Sequence, residues 1–262
     1  MISNQTLSKG YAEPAALTPL PRGLDPVETL WTLRATVQRD FLVLPDGRAD
    51  LIVRFKISVD GACSDVLPLA VGPSSLPHYV AIDPGDGFIG IRLKPGKLGL
   101  LKDAAALADR RFSGEQALTL VHELSSLPDR TDTFEAMVEA MRGCSPGLPK
   151  PTPHQIVDQA LDRIHLAGGR LTPGPLADAI GVNARRLHRL FRTHVGLPPQ
   201  LYAAVVRFQR AVRLRRRGLS VSATAYEAGY SDQPHMSRAF LRHGGFTPAR
   251  MPDVQLGWMP FS

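Results

Sequence analysis

Two stretches near the C-terminal end of the chain match each other: LADAIGVNARRLHRLFRTHVGLPP (residues 176–199) and TAYEAGYSDQPHMSRAFLRHGGFTP (residues 224–248). With a one-residue insertion in the turn of the second copy, the aligned pairs are Gly181 with Gly229, Leu187 with Met236, Phe191 with Phe240, Gly196 with Gly245, and Pro199 with Pro248. Each copy has the pattern of two short helices joined by a tight turn, which is typical of a helix-turn-helix. The repeat therefore predicts two units that each place a helix in a DNA groove.

The excess positive charge lies in the part of the chain that holds these two copies. Residues 152–262 contain 15 Arg, no Lys and 6 acidic residues, a net charge of +9. Residues 1–151 contain 16 basic and 18 acidic residues, a net charge of −2. This asymmetry is typical of a phosphate-facing module joined to a module with another task, and it favours double-stranded DNA as a partner.

Other functions receive little support from the composition. Cys63 and Cys144 are the only cysteines, and their spacing matches neither a disulfide framework nor a metal site. The first residues lack the pattern of a signal peptide, and no stretch approaches 18 apolar residues. We therefore expect a cytoplasmic protein with no membrane partner, and we predict no catalytic residue, metal ligand or cofactor.

The N-terminal half has the sequence pattern of a small β-rich domain. Residues 1–26 carry several Pro and Gly without a period, which predicts a flexible arm. In residues 49–61 the apolar positions alternate with mostly polar ones, as in a half-buried strand, and a similar pattern follows in residues 88–96. Turn signals separate the apolar runs. We predict an α+β chain whose N-terminal domain is a small antiparallel β-barrel or sandwich followed by helices.

Three helical segments follow, over residues 98–108, 114–124 and 133–142, the second after a cap at Ser113. These helices could pair two copies of the chain or form a lid on the barrel. Proline and glycine are frequent in residues 144–153, which predicts a linker. We therefore divide the chain into an arm (1–26), a sensor and dimerisation domain (27–143), a linker (144–151), a DNA-binding domain (152–252) and a tail (253–262).

The DNA-binding domain should begin with a helix capped by Thr152, with Pro153 at its first position. The second helix stops at Gly181, and Asn183 can cap the third. A helix over about residues 201–217 would span roughly 25 Å and hold the two motifs apart. In the third helix one face carries four side chains that can donate to DNA: Arg185, His188, Arg189 and Arg192.

Two motifs joined by one helix, the core GYSDQPHMSRAF and the closing GFTP resemble the DNA-binding domain of the AraC/XylS family of transcription regulators. The resemblance covers residues 152–252. It implies base-reading positions at Arg185, His188, Arg189, Gln233, Pro234, His235 and Arg238. Candidates for phosphate contacts are Asn183, Arg207, Gln209, Arg210 and Ser231. Pro234 stands where the family usually has a small polar residue, so we expect the second motif to rely on its neighbours or to read fewer bases.

The segment LPDGRADLIVRF, residues 44–55, resembles a sensor type that precedes this DNA-binding module in some family members, and others have cupin-like barrels there. The resemblance raises two interpretations. Asp46 and Asp50 could face a small-molecule effector, with Arg54 and Arg92 as counter-charges. Alternatively, the acidic pair belongs to an Asp-Gly turn and the arginines are exposed strand residues.

Two enzyme alternatives remain beside the regulator. A cupin-type metal enzyme needs two His and a carboxylate, and residues 30–150 hold only His78 and His122. A DNA-alkylation repair methyltransferase needs a reactive thiolate, which only Cys63 or Cys144 could supply. The favoured interpretation is a regulator, with no enzyme activity, that responds to an effector and activates transcription. The family implies RNA polymerase as a partner, and the helices before the linker could make a homodimer.

Overall fold

A computed structural model describes residues 15–17, 27–98, 104–145, 148 and 154–252. These residues form an N-terminal domain of strands and short helices and a C-terminal domain that consists of helices. The predicted α+β class, with an antiparallel β domain followed by an all-α domain, is confirmed. In the part of the chain that the structure describes, no helix is long and apolar enough to cross a membrane.

The N-terminal domain contains eight strands among its described residues. They are β1 (Ala15–Leu17), β2 (Val27–Arg34), β3 (Arg39–Val43), β4 (Ala49–Ile57), β5 (Cys63–Val71), β6 (His78–Ile82), β7 (Asp86–Leu93) and β8 (Arg111–Ser113). Six of them form an antiparallel sheet in the order β1-β2-β7-β4-β5-β8, and β3 pairs with β6 in a second sheet.

Strand β7 lies inside the larger sheet, and all of its residues are buried. On one face Ile89 and Ile91 join the main hydrophobic core. On the other face Phe88 packs with Phe41 and Ile82 of the two-stranded sheet. Because both faces are covered, the strand is buried along its whole length. The domain is therefore a sandwich with helices on one side of the larger sheet and the smaller sheet on the other.

The helices after the strands are shorter than predicted. Within the described residues, the helix expected over 98–108 is a single 3₁₀ turn, Ala104–Leu107. The helix expected over 114–124 is α1 (Glu115–Leu120), followed by a 3₁₀ turn, His122–Ser126. The predicted cap at Ser113 is wrong, because Ser113 pairs with Leu69 at the edge of the larger sheet.

Helix α2 (Phe134–Cys144) confirms the third predicted helix and covers the larger sheet. Thr133 caps it by accepting a hydrogen bond from the Ala136 N–H at 3.1 Å. Met137 and Met141 are fully buried in the main core. Of the two alternatives for these helices, pairing of two copies or a lid, this packing favours the lid, since the apolar face of α2 is occupied by the chain's own sheet.

Two boundary predictions need correction. The arm predicted over residues 1–26 contains strand β1, which pairs with β2; the other residues of the arm lie outside the described part. The linker predicted to begin at residue 144 begins later, because Cys144 ends α2 and Leu148 is buried in the main core. The other linker residues, the predicted cap at Thr152 with Pro153, and the tail over 253–262 also lie outside the described residues.

The C-terminal domain contains six α-helices among its described residues. They are α3 (Gln155–Leu166), α4 (Pro173–Ile180), α5 (Ala184–His194), α6 (Pro199–Arg216), α7 (Val221–Ala228) and α8 (Gln233–Gly244). Both predicted glycine turns are present: Gly181 has φ 75° after α4, and Gly229 has φ 80° after α7. These left-handed conformations favour glycine.

Helix α6 joins two separate hydrophobic cores. Its first half places Tyr202 and Val206 in a core with α3, α4 and α5. Its second half places Phe208 and Val212 in a core with α7 and α8, where the Phe208 and Phe240 rings lie 5.2 Å apart. Each helix-turn-helix is thus anchored by its own core at one end of the same helix.

The N-terminal domain docks onto this helix through the loop Leu44-Pro45-Asp46-Gly47. Leu44 packs into the core around Phe208, and the Pro45 carbonyl accepts a hydrogen bond from the Gln209 side chain. Gly47 has φ 70°, and a Cβ there would lie 2.7 Å from the Tyr202 ring. The loop therefore needs a glycine for both its backbone conformation and its close approach to α6.

A second contact joins the domains at the C-terminal end of α8. The His243 side chain is 2% exposed, and its Nδ1 lies 2.7 Å from the Ser75 carbonyl oxygen. It is buried because the loop between β5 and β6 covers it.

A buried ion cluster holds the docking loop in place. The Arg92 guanidinium binds Asp50 through Nε and Nη2 at 3.0 and 2.9 Å, and it binds Asp46 through Nη1 at 2.9 Å. The backbone N–H of Arg48 donates to Asp46 at 2.9 Å, and the Arg48 side chain binds both carboxylate oxygens of Glu28. Each charge is therefore compensated by a specific partner, which buried ions require.

We predict that Arg92→Ala lowers the free energy of unfolding by about 3–5 kcal/mol, because it leaves two buried carboxylates without their main partner. Urea denaturation measures this change. The control is Arg142→Ala, which removes an exposed ion pair with Glu139 within α2 and should cost less than about 1 kcal/mol. Equal losses in the two variants would contradict a buried, structurally important cluster.

A pH effect should arise from His78 in β6. Its pKa is lowered from 6.5 to about 4, mainly by burial and also by the nearby Arg111, whereas Asp46 opposes the shift. Because the folded state disfavours the protonated imidazole, stability is retained above pH 6.5 and lost as the pH falls from 6.5 to 4. We predict that His78→Gln reduces this loss. Urea denaturation at several pH values would contradict this if the two proteins lose stability in parallel.

Candidate nucleic-acid interface

The first motif consists of α4, the turn at Gly181 and α5. Asn183 caps α5 because its side-chain oxygen accepts a hydrogen bond from the Arg186 N–H at 2.8 Å. Leu187 and Phe191 are fully buried against the first core, which fixes the rotation of the helix. The opposite side of α5 therefore faces solvent.

The four basic side chains predicted for this outward face are all exposed. They line one shallow groove of about 640 Å³ with their neighbours: Asn183, Arg185, Arg186, His188, Arg189, Arg192 and Thr193. Positions three and four apart lie on one face of a helix. The structure thus brings the predicted base-reading residues of the first motif together on one donor-rich surface.

The second motif consists of α7, the turn at Gly229 and α8, and it repeats this local structure. Asp232 caps α8 by accepting a hydrogen bond from the His235 N–H at 2.6 Å. Met236 and Phe240 are buried in the second core. The side chains of Gln233, Pro234 and Arg238 are exposed, as predicted for a surface that contacts DNA.

His235 is half-buried and held in place by the turn. Its Nδ1 lies 3.1 Å from the Ser231 Oγ, and its ring packs edge-on against Tyr230 with 5.2 Å between ring centroids. Both contacts lie on the N-terminal side of α8. His235 is therefore pre-oriented, while Ser231 has a role in supporting it.

Tyr230 makes packing contacts at the turn of the second motif that the sequence analysis missed. Burial raises the pKa of its hydroxyl, and the Arg207 guanidinium, 5.3 Å from its ring centroid, opposes the shift. Arg207 also lies 3.5 Å from the Gly229 carbonyl oxygen. Arg207, predicted to contact phosphate, is thus engaged with the turn of the second motif. An aromatic residue directly after the turn glycine was the only signal for this contact.

Two of the predicted phosphate contacts lie elsewhere. Gln209 is 3% exposed and donates to the Pro45 carbonyl, so it cannot reach a DNA backbone in this conformation. Arg210 lines a cavity between the two domains, beside Asp46 and Arg48. The prediction placed both residues on a free surface of α6, but the N-terminal domain covers that side of the helix.

The candidate effector residues divide into two places. Asp46, Asp50 and Arg92 meet in the buried ion cluster, and Asp50 also accepts a hydrogen bond from the Trp31 indole at 3.0 Å. The positive charge of Arg92 and the negative charges of the two aspartates compensate one another inside the protein. Arg92 is therefore a buried residue, and the alternative that it is an exposed strand arginine is wrong.

Arg54 lies apart from this cluster and binds Asp86. Its Nη2 lies 2.9 Å from Asp86 Oδ2, and Lys56 Nζ lies 2.6 Å from Oδ1 of the same carboxylate. Burial alone would raise the pKa of Asp86, but the Asp83 backbone N–H and these two cations lower it overall. Arg54 thus does not share a site with Arg92.

The two enzyme alternatives require either a reactive cysteine thiolate or a cluster of metal ligands. Cys63 and Cys144 are both buried, and burial raises the pKa of each thiol, which disfavours a reactive thiolate. In the described ranges, no group of three or more His, Cys, Asp or Glu side chains could hold a metal ion. Neither enzyme alternative gains a candidate site among these residues.

Comparison with solved structures gives several partial similarities. One AraC-type DNA-binding domain structure from Chromobacterium violaceum shares 26% identity and covers 37% of this chain and 93% of its own, with a TM-score of 0.34. ToxT from Vibrio cholerae shares 10% identity and covers 86% of this chain and 97% of its own, with a TM-score of 0.40. These low TM-scores do not define the arrangement of this chain.

Comparison with sequence families is more specific. A model of the helix-turn-helix domain family matches residues 176–252, which contain both motifs. The transcriptional activator RhaS of Escherichia fergusonii is 36% identical over 74 residues, or 28% of this chain and 27% of RhaS. RhaS of Escherichia coli is 36% identical over 83 residues, or 31% of this chain and 29% of RhaS. The chain therefore matches less than a third of the length of these relatives.

Fold and surface together define a tandem helix-turn-helix domain with two capped, outward-facing second helices. The matching family model describes the same class of domain, a helix-turn-helix. The C-terminal domain matches the helix-turn-helix domain family over residues 176–252 and is similar to part of RhaS, which agrees with the predicted resemblance to the AraC/XylS family.

We predict that Asn183→Ala lowers the free energy of unfolding by about 1 kcal/mol, because it removes the cap of α5. The matched control is Thr172→Ala at the N-cap of α4, where the side chain makes no cap hydrogen bond. Thermal unfolding of both variants measures the difference. An equal or larger loss in Thr172→Ala would contradict the assigned role of Asn183.

Proposed function

We propose that this protein is a cytoplasmic, sequence-specific DNA-binding transcription regulator and that it activates transcription. The observation that carries this proposal is the pair of capped helices, α5 and α8, whose outward faces present side chains that can donate to bases. The residues that follow position 151 also carry a net charge of +9, which suits the phosphate backbone. The relatives with similar DNA-binding domains are named transcriptional activators, which supports the direction of regulation.

Base reading by the first motif would rest on Arg185, His188 and Arg189. An arginine can grip guanine through its two major-groove acceptors. In the second motif Gln233 can pair with adenine by the same two-point geometry, beside His235 and Arg238. Pro234 offers no side-chain donor, so contact there would be apolar or absent.

Phosphate contacts would come from the starts of the two helices rather than from α6. Asn183 and Ser231 lie beside the first backbone N–H groups of α5 and α8, where helix ends favour anions. Such contacts position the protein on DNA without reading sequence. Gln209 and Arg210 are not retained, because the N-terminal domain covers their side of α6.

The length of α6 supports binding to two neighbouring segments of the groove. Its 18 residues correspond to a rod of about 27 Å. Successive major-groove faces on one side of a duplex lie about 34 Å apart. With the turns at each end of α6, the two motifs can bind one site about two groove segments long.

The N-terminal domain would transmit a signal to this site. Its loop at residues 44–47 contacts the helix that joins the motifs, so a ligand that changes the loop can change DNA affinity. A small-molecule effector, a homodimer and contact with RNA polymerase complete the proposal. The homodimer would be formed by the N-terminal domain, and the contact with RNA polymerase is an expectation from the family resemblance.

The test begins with DNA selected by the full-length protein from random fragments. We predict that Arg189→Ala weakens binding to the selected site by about 1–3 kcal/mol and relaxes the preference at one base position. Arg238→Ala should do the same at a different position, because it belongs to the other motif. Gel-shift titrations and repeated selection with each variant measure both effects.

The control is Arg163→Ala, an exposed arginine on α3 outside both motifs. It removes the same charge and should leave base preference unchanged. If all three variants weaken every sequence equally, Arg189 and Arg238 act only through charge, and their base-reading role is lost.

A further inference from the structure

A cavity of about 340 Å³ lies between the two domains, on the side of α6 that faces the docking loop. Asp46 and Arg48 line it from the N-terminal domain, and Arg210, Arg213 and Arg217 line it from α6 and the residue after it. Gly168 closes one end, where a Cβ would lie 2.5 Å from Arg210 Nη1. Cavities that hold small molecules begin at about 300 Å³.

The charge of this cavity is strongly one-sided. Four of the lining residues are arginines, and among the residues that the structure describes the only carboxylate in the wall is that of Asp46. Asp46 already binds Arg92 and accepts a hydrogen bond from the Arg48 N–H. Its negative charge is therefore compensated within the N-terminal domain. The Glu28 carboxylate similarly holds the Arg48 side chain. The α6 side of the cavity contributes three arginines, Arg210, Arg213 and Arg217, to one wall.

Positive charges that line the same cavity repel each other, which raises their electrostatic energy. Burial lowers the pKa of Arg213, and the neighbouring Arg217, Arg210 and Arg48 lower it further. Among the described residues, Arg210 and Arg217 form no ion pair with a carboxylate. An anion bound between them would replace repulsion with attraction.

We propose that this cavity binds a small, multiply charged oxyanion, either a phosphate ester or a polycarboxylate, and that this molecule is the effector. The planar guanidinium group suits both kinds of oxyanion, because it donates two parallel hydrogen bonds. A single carboxylate on a long apolar chain fits less well, since the wall is rich in polar groups. The cavity differs from the first candidate effector site, whose charges are already paired with each other.

Double-stranded DNA is a poor occupant of the same space. Asp46 and Arg48 form one wall, and the Gln209 side chain is fixed to the Pro45 carbonyl beside it. A cavity of this size between two docked domains admits a small molecule rather than a duplex. The arginines on this side of α6 therefore serve a function separate from that of α5 and α8.

Binding would connect the two domains, and this part of the inference rests on the proposed function. An anion held by Arg48 on one side and by Arg210 and Arg217 on the other favours the docked arrangement. If docking changes DNA affinity, DNA must change anion affinity by the same factor.

The test uses the full chain and two probes, pyrophosphate and citrate, in calorimetric titrations at constant ionic strength. We expect at least one probe to bind, and the one that binds more tightly distinguishes the phosphate ester from the polycarboxylate. The double variant Arg210→Gln/Arg217→Gln should weaken that binding by roughly tenfold to a hundredfold, because charge-assisted hydrogen bonds are lost. A tight probe should also raise the Tm of the unmodified protein.

The charge-matched control is Arg163→Gln/Arg216→Gln, which removes two arginines outside the cavity wall. Its affinity for the probe should stay within about twofold of the unmodified protein, since these side chains do not line the cavity. Failure of both probes to bind, or equal weakening in the two double variants, would overturn the proposal.

DNA binding is measured separately with the same proteins, so the two proposals can fail independently. Loss of probe binding in Arg210→Gln/Arg217→Gln with DNA binding retained supports a distinct anion site. Probe binding by a protein that selects no DNA sequence would leave the anion site intact and remove the regulator. A probe that binds in the cavity but leaves DNA affinity unchanged would refute its role as the effector.

Discussion

The arrangement of the two domains depends on the buried ion cluster in which Arg92 binds Asp46 and Asp50. This cluster fixes the loop at residues 44–47 on the surface of the N-terminal domain. The loop then inserts Leu44 into the core of the second motif, and its Pro45 carbonyl accepts a hydrogen bond from the Gln209 side chain. Without a compensated set of charges beneath it, the loop could not remain in this position, since buried ions are tolerated only when they are paired.

Helix α6 connects this docking surface to both DNA-facing helices. Tyr202 belongs to the first core and Phe208 to the second, so both motifs are packed against one rigid rod. The docking loop touches α6 near each of these residues. A change in the loop can therefore reach either motif through a single helix, and no chain of intermediate contacts is needed.

The sequence predicted the features that depend on local patterns. The repeat identified both turns at Gly181 and Gly229, the cap at Asn183, and the exposed face of α5. In the N-terminal domain, the alternation in residues 49–61 predicted the strand in which Leu51, Val53 and Phe55 are buried. Such patterns are set by residues close in the chain, and a period of two or 3.6 residues reveals them.

The features missed by the sequence analysis depend on contacts between distant residues. Gln209 and His243 lie on helices whose patterns gave no sign that another domain covers them, yet both are buried by loops of the N-terminal domain. The partners of Arg92 also come from a different part of the chain. Periodicity reports which face of a helix is apolar, but it does not report which polar residues a neighbouring domain will enclose.

The central claim is that one protein places two helix-turn-helix motifs side by side on a single DNA site. Hydroxyl-radical footprinting of the full-length protein on its selected site tests this claim most directly. The account predicts two protected blocks on one face of the duplex, with centres about 10 base pairs apart, one for each motif. A single block of one groove segment, or two blocks on opposite faces, would contradict it.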